Sequence, residues 1–161
     1  LIVMIQGDEP CLEPKMINEV VSVFKKNKNL QISNLYTVLD RPKEIMDPNR
    51  VKVVVDQNNN AIYFSREIIS TQKVNKKKIY YKQGNIFCFS KKALQDFVKL
   101  KPSNLEIVES VDMNRLIENR YKIKMVKTKF NTVNVDNYED FKKAKKIMKN
   151  DNNFKLYFNK I

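Results

Sequence analysis

Five consecutive apolar residues, Leu-Ile-Val-Met-Ile at positions 1–5, run directly into Gln6-Gly7-Asp8-Glu9-Pro10, and this junction constrains the fold more than any other stretch. An apolar run of that length, ended by Gly and then Pro, suits a strand buried on both faces of a parallel sheet. Asp8 then stands at the carboxyl end of that strand. Ligands bind there in open α/β sheets, and a carboxylate so placed can hold a hard cation against phosphate. The same residues also suit a plain turn in which Asp8 or Glu9 caps the next element. On these ten residues both readings stand.

The chain's 161 residues are enough for one domain with a real core. It opens inside a strand on Leu1 and not on Met, so a piece of a longer protein is expected. The opening lacks the basic region and the length of a signal peptide, and no apolar run is long enough to span a bilayer. Cys11 and Cys88 stand far apart without metal-ligand spacing, and there is no His. That leaves no basis for a zinc site, a Ser-His-Asp triad or a Cys-His pair, and the reducing cytoplasm is the expected compartment. A net charge of +13 would ordinarily suggest nucleic acid. Only five of the 31 basic residues are Arg, however, and the dense runs Lys76-Lys77-Lys78 and Lys142-Lys143 with Lys145-Lys146 lack the interleaved aromatics of a single-strand groove. A solvated lysine surface is the favoured reading, with neither nucleic acid nor membrane as a partner.

Beyond the junction the chain alternates helical and strand-like stretches. Pro14 is pre-set for a first helical turn, and Ile17, Val20, Val21 and Phe24 recur on one apolar face until residues 25–29 end the helix. Residues 30–39 hold a short strand, broken by Arg41-Pro42. Val51, Val53 and Val55 alternate, residues 56–60 supply a turn, and residues 61–64 return as a hairpin that delivers Ser65 and Arg66 at its end. Residues 67–78 show no period and read as a loop over that end, suited to a lid. Residues 79–89 are strand-like around Gln83-Gly84-Asn85, where glycine implies a bulge or a close backbone approach. A helix over 91–100 buries Leu94, Phe97 and Val98. Ser103 and Glu106 start a second helix running to about residue 119, on which Glu106, Glu109 and Asp112 share a face, either solvated or aimed at a polar ligand. Tyr121, Ile123 and Met125 mark a half-buried strand and residues 132–135 another. Asn137-x-x-Asp140 then caps a last helix that buries Phe141, Ala144 and Met148. No repeat or composition break divides residues 1–149, and residues 150–161 form an unassigned tail.

Gln6-Gly7-Asp8-Glu9-Pro10 after an apolar strand resembles the motif of the sugar-acid cytidylyltransferases, above all the 3-deoxy-manno-octulosonate (Kdo) cytidylyltransferase family. Four further stretches agree in type and order: Asp47-Pro48-Asn49-Arg50-Val51-Lys52-Val53-Val54, Ala61-Ile62-Tyr63-Phe64-Ser65-Arg66, Leu105-Glu106-Ile107-Val108-Glu109-Ser110-Val111-Asp112, and Val135-Asp136-Asn137-Tyr138-Glu139-Asp140. The resemblance implies an α/β, Rossmann-like nucleotide-diphospho-sugar transferase fold with an inserted β-hairpin that carries sugar contacts and part of a homodimer surface. It implies transfer of CMP from CTP to the anomeric hydroxyl of Kdo, with pyrophosphate leaving and Mg2+ held by Asp8 and Asp136. Gln6 and Arg66 match Kdo-contacting positions, the guanidinium fork being suited to a carboxylate. Ser65, Glu109 and Asp112 would bind hydroxyls. Gln83 stands where many members carry His in a His-x-Gly-Ile-Tyr-like segment, although a Gln variant also occurs.

Alternatives remain beside these roles. Arg66 also suits an ordinary surface ion pair, and Asp136 a capping role next to Asn137. Asp112-Met113 replaces the family's Glu-Gln, and Arg120 replaces its usual Gly, which leaves the particular sugar open. The phosphate-binding loop with which family members begin, of the type Arg-x-x-Ser-x-Arg-Leu-Pro-x-Lys, does not occur here. The chain is therefore expected to be an N-terminally truncated portion holding the sugar and metal half of an enzyme. A cytidylyltransferase for neuraminate, another nonulosonate or an amino-substituted Kdo is the alternative within the class, and a basic nucleic-acid-binding module is the alternative outside it.

Overall fold

A computed structural model of the chain describes residues 1–69, 72–74, 77–130 and 132–158. Its organising element is the long strand β6 (Lys77–Phe89), which is hydrogen-bonded to four others. Central strand β2 (Ile32–Leu39) runs antiparallel along one side of it, and β7 (Ile123–Lys127) lies parallel beyond β2. On its other side β6 pairs with β1 (Ile2–Ile5) near its carboxyl end and with β3 (Lys52–Val55) near its middle, and β4 (Ala61–Ser65) extends the sheet outward from β3. A short strand β5 (Gln72–Val74) pairs with the start of β6. The expected lid over residues 67–78 is thus partly strand, and its residues 70, 71, 75 and 76 lie outside the described ones.

Side chains alternating along β2 and β6 face two apolar layers, as the period of a strand requires. Leu35, Ile86 and Cys88 pack against Met16 and Val20 of helix α1 (Pro14–Lys26). Ile32, Tyr36, Phe87 and Phe89 point to the opposite face, where Ala93, Val111, Met113 and Leu116 cover them. Those residues belong to or flank α3 (Lys91–Lys99), α4 (Asn104–Glu109) and α5 (Met113–Glu118), with the single-turn helix α2 (Pro42–Ile45) outside this layer. The result is a mixed sheet between helical layers. Strand β1 departs from expectation: it pairs antiparallel, and Ile2 and Ile5 are 39% and 43% exposed, while only Val3 and Met4 pack against the two layers.

The expected second helix is two helices. Its start is right: Ser103 Oγ accepts from the Glu106 amide, and the Glu106 carboxylate accepts from the Ser103 amide. Ser110 then adopts φ 52°, the left-handed region, and ends α4. Asp112 becomes the first residue of a new start, so Glu106, Glu109 and Asp112 do not share a helix face. Arg120 also lies in the left-handed region, at φ 64°. Its amide bonds the Ile117 carbonyl and the Tyr121 amide bonds that of Leu116, a closure that glycine would adopt without strain.

Residues 132–135 form no strand, although Asn137 caps α6 (Tyr138–Asn150) by accepting from the Asp140 amide. Val98 and Phe141, expected in the core, are 76% and 48% exposed, and Ala144 is the buried apolar residue of α6. Residues 152–158 form helix α7 (Asn152–Phe158).

The register between β2 and β6 jumps between the pairs Asn34↔Phe87 and Tyr36↔Gln83, so β6 carries the extra residues of a bulge. Asn34 closes it, its Nδ2 donating to the carbonyl oxygens of Gly84 at 2.7 Å and Ile86 at 2.9 Å. At Gly84 an added Cβ would meet Leu35 Cβ at 2.9 Å. Gly84→Ala is therefore expected to lower stability by about 1–3 kcal/mol, the cost of overpacking a dense interior, read as a lower urea midpoint at unchanged slope. An unchanged midpoint would mean that the bulge relaxes freely.

Candidate active site

At the bulge Gln83 and Asn85 face a cleft of about 250 Å3, which Gln6, Asp8, Arg66, Asp112 and Asp136 also line. Five separate segments converge there. The turn after β1 supplies Gln6 and Asp8, the end of β4 supplies Arg66, and β6 supplies Gln83. The start of α5 supplies Asp112, and the irregular segment before α6 supplies Asp136.

Arg66 is held rigidly. Its Nε donates to the Glu109 carbonyl at 2.8 Å, and its two terminal nitrogens donate to the carbonyls of Pro48 at 3.1 Å and Ser110 at 3.2 Å. A guanidinium has five N–H groups, so two remain for a ligand. Ser65 and Glu109 do not line the cleft; they stand behind Arg66. The Glu109 carboxylate, 8% exposed, accepts from Tyr63 Oη at 2.5 Å, Ser65 Oγ at 2.9 Å and the Arg66 amide at 2.8 Å. Burial acts to raise its pKa, but these donors outweigh burial and hold the carboxyl below its ordinary value. Lys52, fully buried, fixes the same corner by donating to the carbonyls of Arg66 and Asp47, both at 2.8 Å.

Tyr63, Lys52 and Asn114 complete this support, and sequence reasoning misses all three. Asn114 pairs with the Phe64 backbone as a neighbouring strand would, accepting its amide at 3.1 Å and donating to its carbonyl at 2.9 Å. The alternation around Val53 points to a hairpin, but periodicity gives no sign of a buried lysine at its base.

At the other end of the cleft the Val135 amide donates to the Asp8 carbonyl at 2.9 Å, tying the turn after β1 to the segment that carries Asp136. Thr132 Oγ1 adds a bond of 2.6 Å to Glu9 Oε1, beside the carboxylates. Glu9 is 4% exposed, and burial raises its pKa. Among the described residues Asp8 Oδ1 and Gln83 Nε2 are buried without a hydrogen-bond partner, one acceptor and one donor in the same cleft. Such orphaned atoms are costly unless a ligand satisfies them. Among the described residues no group of three or more His, Cys, Asp or Glu could hold a metal. Two carboxylates in an open cleft nevertheless fit a hard divalent ion that takes its other ligands from phosphate and water. Burial raises the pKa of Asp112, and nearby Glu106 raises it further.

The sequence profile of a family described as cytidylyltransferase matches residues 1–124. A 3-deoxy-manno-octulosonate cytidylyltransferase of Fusobacterium nucleatum is 38% identical over 155 residues, which cover 96% of this chain and 63% of that protein. One of Syntrophus aciditrophicus is 35% identical over 149 residues, covering 92% of this chain and 60% of that protein. The mitochondrial enzyme of that name from Arabidopsis thaliana is 36% identical, with 94% and 53% covered. A solved structure of CMP:2-keto-3-deoxy-manno-octonic acid synthetase complexed with CTP superposes with a TM-score of 0.82 at 27% identity, covering 91% of this chain and 61% of that one. The chain thus spans less than two thirds of the length of these relatives.

Because the folded-state pKa of Glu109 is depressed, its stabilisation is present above the unfolded carboxyl value and is lost as pH falls through the folded one. Glu109→Gln should therefore cost about 1.5–3 kcal/mol at pH 7, the scale of hydrogen bonds to a charged group. The difference from the parent should narrow as the pH falls from 7 below the ordinary glutamate range, as the depressed folded-state pKa is approached and the carboxyl becomes neutral like the amide. A series of urea midpoints from pH 7 downward checks this, and a pH-independent gap would contradict it.

Proposed function

The chain belongs to the cytidylyltransferase family, and from that premise we propose that it carries the sugar-acid and metal sites of an enzyme transferring CMP from CTP to the anomeric hydroxyl of Kdo, with release of pyrophosphate. The observation that carries this reading is the convergence of Gln6, Asp8, Arg66, Gln83, Asp112 and Asp136 on one cleft in which Asp8 Oδ1 and Gln83 Nε2 lack partners among the described residues. The bacterial relatives from Fusobacterium and Syntrophus bear the name of that transfer. Among the described residues no helix is long and apolar enough to cross a membrane.

Both substrates are anions, so the protein's work is positioning and charge neutralisation. Asp8 and Asp136 would hold Mg2+, which supplies charge neutralisation at phosphate and a lower pKa for the bound sugar hydroxyl. Arg66, anchored by three carbonyls, presents its two remaining N–H groups to the sugar carboxylate from a fixed position. Such a preorganised cation loses little side-chain entropy when the ligand arrives. Gln83 donates its unpaired Nε2–H to a sugar oxygen, Gln6 contacts the sugar from the rim, and Asp112 accepts a hydroxyl. Ser65 and Glu109 act through Arg66 by fixing its backbone. The reading also carries a homodimer, with the β3–β4 hairpin at the contact: β4 is an outer strand and exposes Ile62.

Arg66→Lys keeps the charge but can satisfy only part of this carbonyl cradle. Kdo binding is expected to weaken by about 1–3 kcal/mol, while binding of Mg2+ stays as it was. Asp8→Asn should remove Mg2+ binding and leave the fold intact. Calorimetric titration of each ligand into parent and variants tests both, with neuraminate as the competing sugar acid. Unaltered Mg2+ binding in Asp8→Asn, or a preference for neuraminate over Kdo, would overturn the assignment.

A further inference from the structure

Asn134 and Asp136 line the cleft, and Thr132 and Val133 of the same segment line a second cavity of about 460 Å3, bounded also by the end of β2, by α2 and by α6. Its lining is strongly cationic. Arg41, Arg50, Lys82, Lys143 and Lys146 face it, against the carboxylates of Asp40 and Glu44. Glu44 is already engaged by Arg41 through bonds of 3.0 and 2.5 Å, and Lys143 by Asp140 at 2.9 Å.

The remaining cations leave hydrogen-bonding capacity unfilled. The Arg50 side chain is 13% exposed and is ion-paired with Asp47 at 3.6 Å, but its Nε is buried without a hydrogen-bond partner among the described residues. Lys82 Nζ makes one hydrogen bond among the described residues, to Asn134 Oδ1 at 3.2 Å, out of three that an ammonium can donate. Burial and the adjacent Arg50 hold its pKa below the ordinary lysine value, with Glu9, Glu44 and Asp136 pulling the other way. Lys146, on the α6 face shared with Lys143 and Ile147, stands at the mouth. Two cations sunk side by side with donors unfilled are better satisfied by an anionic ligand that accepts several hydrogen bonds.

We propose that this cavity is a binding site for a small, multiply charged phosphate anion of the pyrophosphate class, held by Arg50 and Lys82 at its floor and Lys146 at its mouth. A guanidinium suits a phosphate's planar pair of oxygens, and an ammonium serves it as a point charge. The site requires no metal, and it holds whatever the neighbouring cleft binds.

The test is calorimetric titration of sodium pyrophosphate into the protein in EDTA, so that no metal-bridged binding in the cleft contributes. One saturable site is expected. Lys146→Glu reverses a charge at an exposed position without touching the core and should weaken binding at least tenfold; Arg50→Gln should do the same, with circular dichroism confirming its fold. Lys142→Glu, on α6 but outside the cavity and paired with Glu139, should change affinity less than twofold. Equal loss in Lys142→Glu and Lys146→Glu would reduce the binding to diffuse attraction by a basic chain and overturn the site. So would pyrophosphate binding that appears only with Mg2+, or retention of single-stranded RNA without any saturable pyrophosphate binding.

Discussion

Two hydrogen bonds from the Asn34 side chain to the carbonyls of Gly84 and Ile86 set the geometry on which the cleft depends. They fix a bulge where β6 passes β2, and its two extra residues set where β6 stands against β2. Beyond it Ile86 and Cys88 serve one apolar layer while Phe87 and Phe89 serve the other. Gln83 and Asn85, on the same face as Phe87, line the cleft. A regular ladder would pair Tyr36 with Asn85 instead of Gln83 and shift this part of β6 along β2. The close approach of Gly84 to Leu35 is the steric condition for the bulge, and Asn34 is its polar fastening.

A second constraint acts on the opposite wall, where two buried charges serve one side chain. Lys52 and Glu109 are each satisfied by Arg66 and its neighbours, the lysine through carbonyls and the carboxylate through hydroxyls and an amide. Buried charges are tolerated when fully hydrogen-bonded and are strongly destabilising when one partner is removed. This corner is consequently stiff. It fixes Arg66 by its backbone at one end and by three carbonyls at the other, so the guanidinium is oriented before any ligand arrives.

Much of this was legible in the sequence, for reasons that differ from residue to residue. Ser103 with Glu106 and Asn137 with Asp140 announce helix starts because capping is a local interaction between residues three apart. The turn at residues 56–60 is equally local, with Asp56 accepting from the amides of Asn58 and Asn60. Burial is not local. Residues 1–5 read as a doubly buried parallel strand, whereas β1 is antiparallel and half covered, because its partner is fixed more than eighty residues away by β6. Val98 and Phe141 have the right spacing for the core but no described element packs over them, and Ser110 breaks a helix without the Gly or Pro that would signal it. The candidate site divides in the same way. Family-like motifs point to Asp8, Arg66, Gln83 and Asp136, while Lys52, Tyr63 and Asn114 emerge only from three-dimensional contacts.

The tip of the β3–β4 hairpin curls across to β7, at the opposite end of the strand order. Met125 donates its amide to the Asn59 carbonyl at 2.7 Å, and Lys124 Nζ reaches the Asn58 carbonyl across 66 residues of chain. The sheet is thereby bent partly back on itself, and that shape governs the time course of its assembly. The hairpin can form early from its own turn, but its seat on β7 exists only after the intervening chain has laid β6 beside β2. Loop-closure entropy must be overcome before the long-range contacts offset it, which is the condition that slows folding. A chain of this topology spends part of its folding time with the hairpin formed and its tip unseated, and that interval is when the hairpin is most exposed to pairing with a strand of another molecule.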